Sequence, residues 1–315
     1  MKNKKITIAA SSTLIALLVI LIVGTLFMFN FSLASKTTAT DEEDAYAYLF
    51  KHAYMKEWVD SLQHYSALKD TFVFAEDGAR LHALYVKSAE ESANTALIIH
   101  GYTDNAIRML MIGHLYNKVL GYNVLLPDLR GHGKSDGAYI QMGWKDRLDI
   151  LRWIDVATRL YGDTTRVVLH GISMGAATTM MTSGEELPKN IKCFVEDCGY
   201  TNVWDEFAHK LKAEYNLPAF PLMYTTSLYC QMKNGWEFKE ASALEQVKKC
   251  NRPMLFIHGG NDTYVPTSMV YPLYEAKPGE KELWVIPEVG HANAYWDHTA
   301  EYVDRTRNFV SKYMH

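Results

Sequence analysis

The spacing of apolar residues changes repeatedly along this chain, and each change marks an element. After Lys2, Lys4 and Lys5 comes an uncharged run from Ile6 to Ser35. Its densest part, Leu14 to Phe31, would span about 27 Å as a helix, close to the thickness of a bilayer's hydrocarbon core. The run is longer than the apolar stretch of an ordinary signal peptide, so residues 1–35 are expected to form a signal anchor. Ser32-Leu33-Ala34 has the small residues of a cleavage site, which leaves a cleaved signal peptide as the alternative. Under either reading the lysines stay inside and the bulk of the chain lies outside the cytoplasm. Residues 36–44 are polar, end in Asp41-Glu42-Glu43-Asp44 and read as a linker. Next, Tyr46, Leu49, Phe50, Tyr54, Trp58, Leu62 and Tyr65 recur at helical spacing and predict a helix packed on the domain that follows.

From Thr71 the period shortens. Thr71–Ala75 and Leu81–Val86 read as strands joined at Glu76-Asp77-Gly78. Apolar strand runs then alternate with helical stretches. The strands are Ala96–Ile99, Val124–Leu126, Val167–Leu169, Cys193–Val195, Met254–Ile257 and Leu283–Ile286; the helices are Ala106–Leu120, Trp144–Tyr161, Met174–Gly184, Ser268–Ala276 and Tyr295–Tyr313. Continuous apolar strands between helices predict an α/β fold, a mostly parallel sheet covered by helices on both faces, over residues 45–315. In such sheets chemistry gathers beyond the carboxyl ends of the strands.

Composition narrows the function. The chain is 48% apolar and 22% charged, with a net charge of −4, so it has a core to bury and no basic surface for nucleic acid. No Cys/His cluster has zinc spacing, and no metal or organic cofactor is expected. Of the four cysteines, Cys193 and Cys198 would sit about 16 Å apart along one strand, too far for a disulfide, whereas a Cys230–Cys250 bridge is open.

Each chemically informative residue falls just after a strand. Val167-Val168-Leu169-His170-Gly171-Ile172-Ser173-Met174-Gly175-Ala176-Ala177 reads as strand, Gly-x-Ser-x-Gly, then helix, the pattern of a nucleophile elbow. Gly133-Lys134-Ser135-Asp136-Gly137 matches the same pattern but lies several residues past its strand with no helix after it, so Ser135 is set aside. Asp262 follows Met254–Ile257 and His291 follows Leu283–Ile286. A serine hydroxyl needs a base to take its proton, an imidazole titrates near neutral pH, and a carboxylate fixes the imidazole's tautomer. Ser173, Asp262 and His291 are therefore the expected nucleophile, acid and base, with Asp197, at the end of another strand, the rival acid. A tetrahedral oxyanion needs two donors. The expected ones are the backbone N–H groups of Met174 and of Tyr102, in His100-Gly101-Tyr102-Thr103. His100, His170 and His258 are read as structural, and His298 as part of the last helix. Arg130-Gly131-His132-Gly133-Lys134-Ser135 is no phosphate loop, because Asp128 occupies the position where a glycine must precede Gly-Lys.

Taken together, His100-Gly101-Tyr102, Asp128-x-Arg130-Gly131-His132-Gly133-x-Ser135, Gly171-Ile172-Ser173-Met174-Gly175, the Gly259–Asp262 turn and Gly290-His291 resemble the α/β-hydrolase superfamily. Within it the chain looks like membrane-anchored or secreted bacterial hydrolases of the serine-aminopeptidase-like, monoglyceride-lipase-like and cinnamoyl-esterase-like groups, although His170-Gly171-Ile172-Ser173 departs from their commoner elbow sequence. The resemblance implies an eight-stranded sheet with a small helical cap after the sixth strand, at about 200–240. Aromatic residues there, among them Trp204, Phe207, Tyr215, Phe220 and Tyr224, suit an apolar acyl or aryl group. The expected activity is that of a carboxylesterase or lipase-like serine hydrolase acting on a small-molecule ester. The alternatives are a peptidase using the same residues, with Asp205, Glu206 or Glu214 holding a substrate's amino terminus, and a non-catalytic binding protein.

Overall fold

The computed structural model describes residues 2–38 and 41–315. Eight strands are present: β1 (Lys69–Phe74), β2 (Arg80–Val86), β3 (Asn94–Ile99), β4 (Asn123–Pro127), β5 (Arg166–Ile172), β6 (Ile191–Asp197), β7 (Met254–Gly259) and β8 (Lys281–Ile286). They form one sheet in the order β1-β2-β4-β3-β5-β6-β7-β8. β2 runs antiparallel to β1 and β4, and every other pairing is parallel. This is the mostly parallel sheet that the apolar runs predict, with the eight strands that the resemblance implies. The chain steps outward from β3 to β4, then returns to the other side of β3 with β5. That reversal puts the carboxyl ends of β3 and β5 side by side at the sheet's switch point, where such folds bind ligands.

Alternate strand residues feed two cores. Leu97, Ile99, Val167, Leu169, Phe194 and Phe256 face one side, with Trp153 and Met180 from α5 (Asp146–Tyr161) and α6 (Met174–Ser183). Ala96, Ile98, Val168, Val195, Leu255 and Ile257 face the other, against Trp58, Leu110 and Tyr302. Those three stand on α3 (Ala53–His64), α4 (Leu110–His114) and α12 (Thr299–Val310). Burial on both faces is why the strands read as continuous apolar runs rather than as alternating ones.

Several helices differ from the sequence reading. The stretch from Tyr46 to Tyr65 divides into α2 (Asp41–Leu49) and α3. The chain turns between them so that His52 stacks on Trp296 at 4.0 Å. Asp41–Asp44, expected at the end of the linker, instead open α2, where four acidic side chains favour the helix N-terminus; residues 39 and 40 of that linker lie outside the described residues. The helix expected over Ala106–Leu120 begins only at Leu110, because an Asp128 carboxylate oxygen accepts from the Ala106 N–H at 2.7 Å and holds that segment in turns. The helix expected over Ser268–Ala276 is α10 (Val270–Ala276), and the one expected over Tyr295–Tyr313 breaks at His298 into α11 (Ala294–Asp297) and α12. All four cysteines are free and buried, so Cys230 and Cys250 form no bridge.

Between β6 and β7 lie α7 (Val203–Tyr215), α8 (Leu222–Asn234) and α9 (Ala243–Val247). The N-terminal helix α1 (Lys2–Leu33) packs on α8. Its Thr25 and Thr225 hydroxyls are 2.6 Å apart, and Phe29 is wedged edge-on between Tyr139 and Tyr229. Phe29 and Leu33 are fully buried, whereas Leu14 to Val23 carry exposed apolar side chains. Among the described residues, one helix, Ala10–Leu33, is long and apolar enough to cross a membrane by length and composition.

Candidate active site

Ser173 sits on the bend between β5 and α6 with φ 58° and ψ −119°, a region that costs an L-residue energy and is held only by its surroundings. Two glycines permit the bend. A Cβ on Gly171 would lie 2.0 Å from the Gly175 carbonyl oxygen, and one on Gly175 would lie 2.1 Å from that of Ile99. The close approach at Gly175 locks α6 against β3. Gly101, after β3, also borders the serine: a Cβ there would stand 3.4 Å from the Ser173 Cβ.

His291, on the loop after β8, reaches back to this bend. Its Nε2 is 2.8 Å from Ser173 Oγ and its Nδ1 is 2.7 Å from Asp262 Oδ2. Asp262 is fixed in turn: Oδ1 accepts from the backbone N–H groups of Tyr264 and Val265, at 2.9 and 3.0 Å. Burial works against its ionised form, but the neighbouring His258 and His291 imidazoles outweigh burial and hold the carboxyl down to about 2. A carboxylate that stays ionised keeps the proton of His291 on Nδ1 and leaves the Nε2 lone pair facing the serine. Ser173, Asp262 and His291, distant in sequence, thus converge within hydrogen-bonding distance.

The rival acid is occupied elsewhere. Asp197 Oδ2 accepts from the Tyr302 hydroxyl at 3.0 Å, and that hydroxyl and Tyr116's bracket His170, at 2.9 and 3.0 Å. Burial pushes the Asp197 carboxyl up to about 6 and the His170 imidazole down to about 3. Ser135 is structural too: its Oγ donates to the Asp128 carbonyl and accepts from the His82 N–H. The segment around it wraps the Asp128 carboxylate, which a Cβ on Gly133 would strike. His100 and His132 shape the loop that carries Tyr102. His100 Nδ1–H donates to the Gly101 carbonyl and its Nε2 accepts from the Leu129 N–H, while His132 Nε2 accepts from the Thr103 N–H. Burial holds His132 down to about 3, which keeps that acceptor free.

Ser173, Met174 and Tyr102 line one apolar pocket beneath the segment between β6 and β7. Three residues around the Ser173–His291–Asp262 path were not assigned to it from sequence. Tyr264 stacks on the His291 ring, centroids 4.8 Å apart, and lies under Lys210 Nζ. His258, read as structural, puts its Nε2 3.5 Å from Asp262 Oδ2; its place at the end of β7, four residues before the acid, was the available signal. Phe31 of α1 forms part of the pocket wall. Of the carboxylates considered for a substrate's amino terminus, Asp205 is instead held at the start of α7, accepting from the Thr201 hydroxyl and the side-chain amide of Asn202, the residue that caps the helix. Glu214 lines the pocket and pairs with Lys210. Glu206 lines it too, buried, with Oε2 unpartnered and burial pushing the carboxyl up to about 8.

Residues 113–315 match the model of the prolyl oligopeptidase family. The uncharacterised protein YqkD of Bacillus subtilis is 30% identical over 226 residues, 72% of this chain and 74% of that one. The yeast "uncharacterized membrane protein YNL320W" is 25% identical over 71% of this chain and 75% of its own. Among solved structures, the esterase Pf2001 of Pyrococcus furiosus superposes with a TM-score of 0.64 at 27% identity, covering 79% of this chain and 93% of that one.

Proposed function

Because the chain belongs to the prolyl oligopeptidase family, within the α/β-hydrolase superfamily, we propose that it is a serine hydrolase that cleaves carboxylic esters through an acyl-enzyme on Ser173. The observation that carries this reading is the continuous path from Ser173 Oγ through His291 to Asp262, in links of 2.8 and 2.7 Å. His291 Nε2 takes the hydroxyl proton as Ser173 Oγ attacks the ester carbonyl. The N–H groups of Met174 and Tyr102 receive the developing oxyanion, the first supported by the helix N-terminus behind it. His291 then returns the proton to the leaving alcohol, and a water activated by the same imidazole frees the acid. No step calls on a metal or organic cofactor, and the proposed partner is a small substrate. An ester fits the pocket because the lining is mostly apolar and Glu206 is held neutral.

The test is turnover of p-nitrophenyl butyrate together with labelling by a fluorophosphonate probe. Wild type should do both, and Ser173→Ala should lose labelling and about a thousandfold or more of the rate. Folded wild-type protein that neither labels nor turns over would overturn the proposal. A peptidase reading is favoured by one observation, the unpartnered Glu206 oxygen inside the pocket. Hydrolysis of aminoacyl-naphthylamides faster than esters, lost on Glu206→Gln, would establish it.

We also read residues 1–35 as an uncleaved anchor with the catalytic domain outside the cytoplasm. Cleavage after Ala34 would strip Met28, Phe31 and Ser32 from the pocket and remove the carbonyl to which the Tyr102 hydroxyl donates. N-terminal sequencing of protein from membranes distinguishes this from the secreted form.

A further inference from the structure

The last turns of α1 do more than tether the domain. α1 and α8 run in the same direction where they touch, since Gly24 meets Leu222, Thr25 meets Thr225 and Phe29 meets Tyr229. Crossing a hydrocarbon core of about 30 Å takes about 20 helical residues. Because Phe29 and Leu33 are buried in the domain, the span lies nearer the N-terminus than Leu14–Phe31: counted from Ile6, the first residue after Lys5, that length ends at Thr25. The bilayer boundary therefore falls where α8 begins, level with the α7–α8 connection. That end of the domain is apolar and open: Tyr215, Leu217, Phe220 and Tyr224 are 45%, 45%, 72% and 51% exposed. Phe31 and Tyr215 are also exposed aromatic members of the Ser173 pocket lining. The pocket rim and the apolar end are thus continuous with the face of α1 that meets lipid, and aromatic side chains favour the headgroup zone.

We propose that the Tyr215–Tyr224 end of the domain is seated in the membrane interface, and that the Ser173 pocket takes the acyl ester of a bilayer-resident lipid, whose chain enters between α1 and the α7–α8 connection. The carbonyl carbon exchanges its bond to the alcohol oxygen for one to Ser173 Oγ, and water then releases the fatty acid while the alcohol carries off the proton. The inference rests on the serine-hydrolase and anchor readings above.

The test uses the full chain in phosphatidylcholine–phosphatidylglycerol vesicles. It compares a palmitoyl methylumbelliferyl ester dissolved in the bilayer with the water-soluble butyryl ester. Leu217→Glu with Phe220→Glu should lower palmitoyl turnover about tenfold or more and leave butyryl turnover within about twofold, because charge opposes insertion but touches no reacting group. Met232→Glu, on the exposed far end of α8, should change neither. Palmitoyl turnover that survives the double change, or falls equally in the Met232 variant, overturns the inference. Wild type active on butyryl but never on palmitoyl ester also overturns it, leaving the hydrolase reading intact; activity on neither sinks that reading itself. If the double variant loses both activities, a nitrobenzoxadiazole label on Phe220→Cys decides. Emission characteristic of lipid supports the interface, and emission characteristic of water refutes it.

Discussion

Replacing Asp262 with Asn separates the two acids that end neighbouring strands. Asp262 Oδ1 accepts two backbone N–H groups, so an asparagine would keep its carbonyl oxygen there and turn its amide nitrogen toward His291. An amide N–H donates where the carboxylate accepted. To meet it, His291 must offer a lone pair at Nδ1, which moves its proton to Nε2, the nitrogen 2.8 Å from Ser173 Oγ. The imidazole then faces the nucleophile as a donor and cannot take its proton. General-base help of this kind is worth about 10²–10⁴ in rate, and the corresponding change in chymotrypsin-type enzymes costs about 10⁴. A fall of about 10³–10⁴ in kcat, about 4–5 kcal/mol of barrier, is expected for Asp262→Asn in butyrate hydrolysis, with KM little changed.

Asp197→Asn is the matching control. Its oxygen accepts only from the Tyr302 hydroxyl among side chains that bear on the site, and an asparagine oxygen can do the same. Turnover should stay within about threefold, since the bond from the Tyr302 hydroxyl is kept and no reacting group is reached. Thermal melting of both variants checks that the fold survives. The reasoning fails if folded Asp262→Asn keeps more than a tenth of the wild-type rate, or if Asp197→Asn falls as far.

Ser173→Ala and Ser173→Gly both remove the hydroxyl and differ in how they bear φ 58°. Glycine should be the more stable by about 1 kcal/mol despite its larger entropy loss, read from urea midpoints; alanine equal or better would show that the bend is unstrained. Glu196 accepts from the Gly199 N–H through Oε2, leaves Oε1 buried without a partner, and is pushed by burial from 4.5 to about 8. Its folded-state value is raised, so its contribution to stability is present below pH 4.5 and lost as pH rises toward 8. Glu196→Gln should therefore melt progressively higher than wild type across that window, and a constant difference in melting temperature would refute the assignment. Gly175→Ala drives a Cβ to 2.1 Å from the Ile99 oxygen; a loss of about 4 kcal/mol or more is expected, seen as insoluble expression.

The residues brought to the switch point were legible because each sits on a short turn after a strand, and the strands announce themselves as apolar runs buried on both faces. Ser173, Asp262 and His291 needed no tertiary knowledge beyond that. The local histidines were harder. His258 and His100 both stand at strand ends beside glycines and both bond to backbone, yet His258 also comes 3.5 Å from Asp262 Oδ2. Residue type and position are alike, and what differs is the neighbouring loop. Helix limits failed where a side chain from elsewhere captured a backbone N–H, as Asp128 does at Ala106, since no local propensity registers a partner 22 residues away.

The N-terminal run shows a different kind of limit. Lipid tails and a protein interior are equally apolar, so hydropathy over Leu14–Phe31 cannot tell a stretch suited to lipid from one that packs on the domain. What marks the docked end is that its small and hydroxylated residues have partners on the domain. Gly24 lies against Leu222, Thr25 meets the Thr225 hydroxyl, and the Ser32 carbonyl accepts from Tyr102. In a helix surrounded only by lipid such residues contribute little. Where helices pack they allow close approach and supply the hydrogen bonds. Gly24, Thr25 and Ser32 stand on the stretch where Phe29 and Leu33 are buried, so this part of the helix is docked on the domain by close approach and hydrogen bonds as well as by apolar contact.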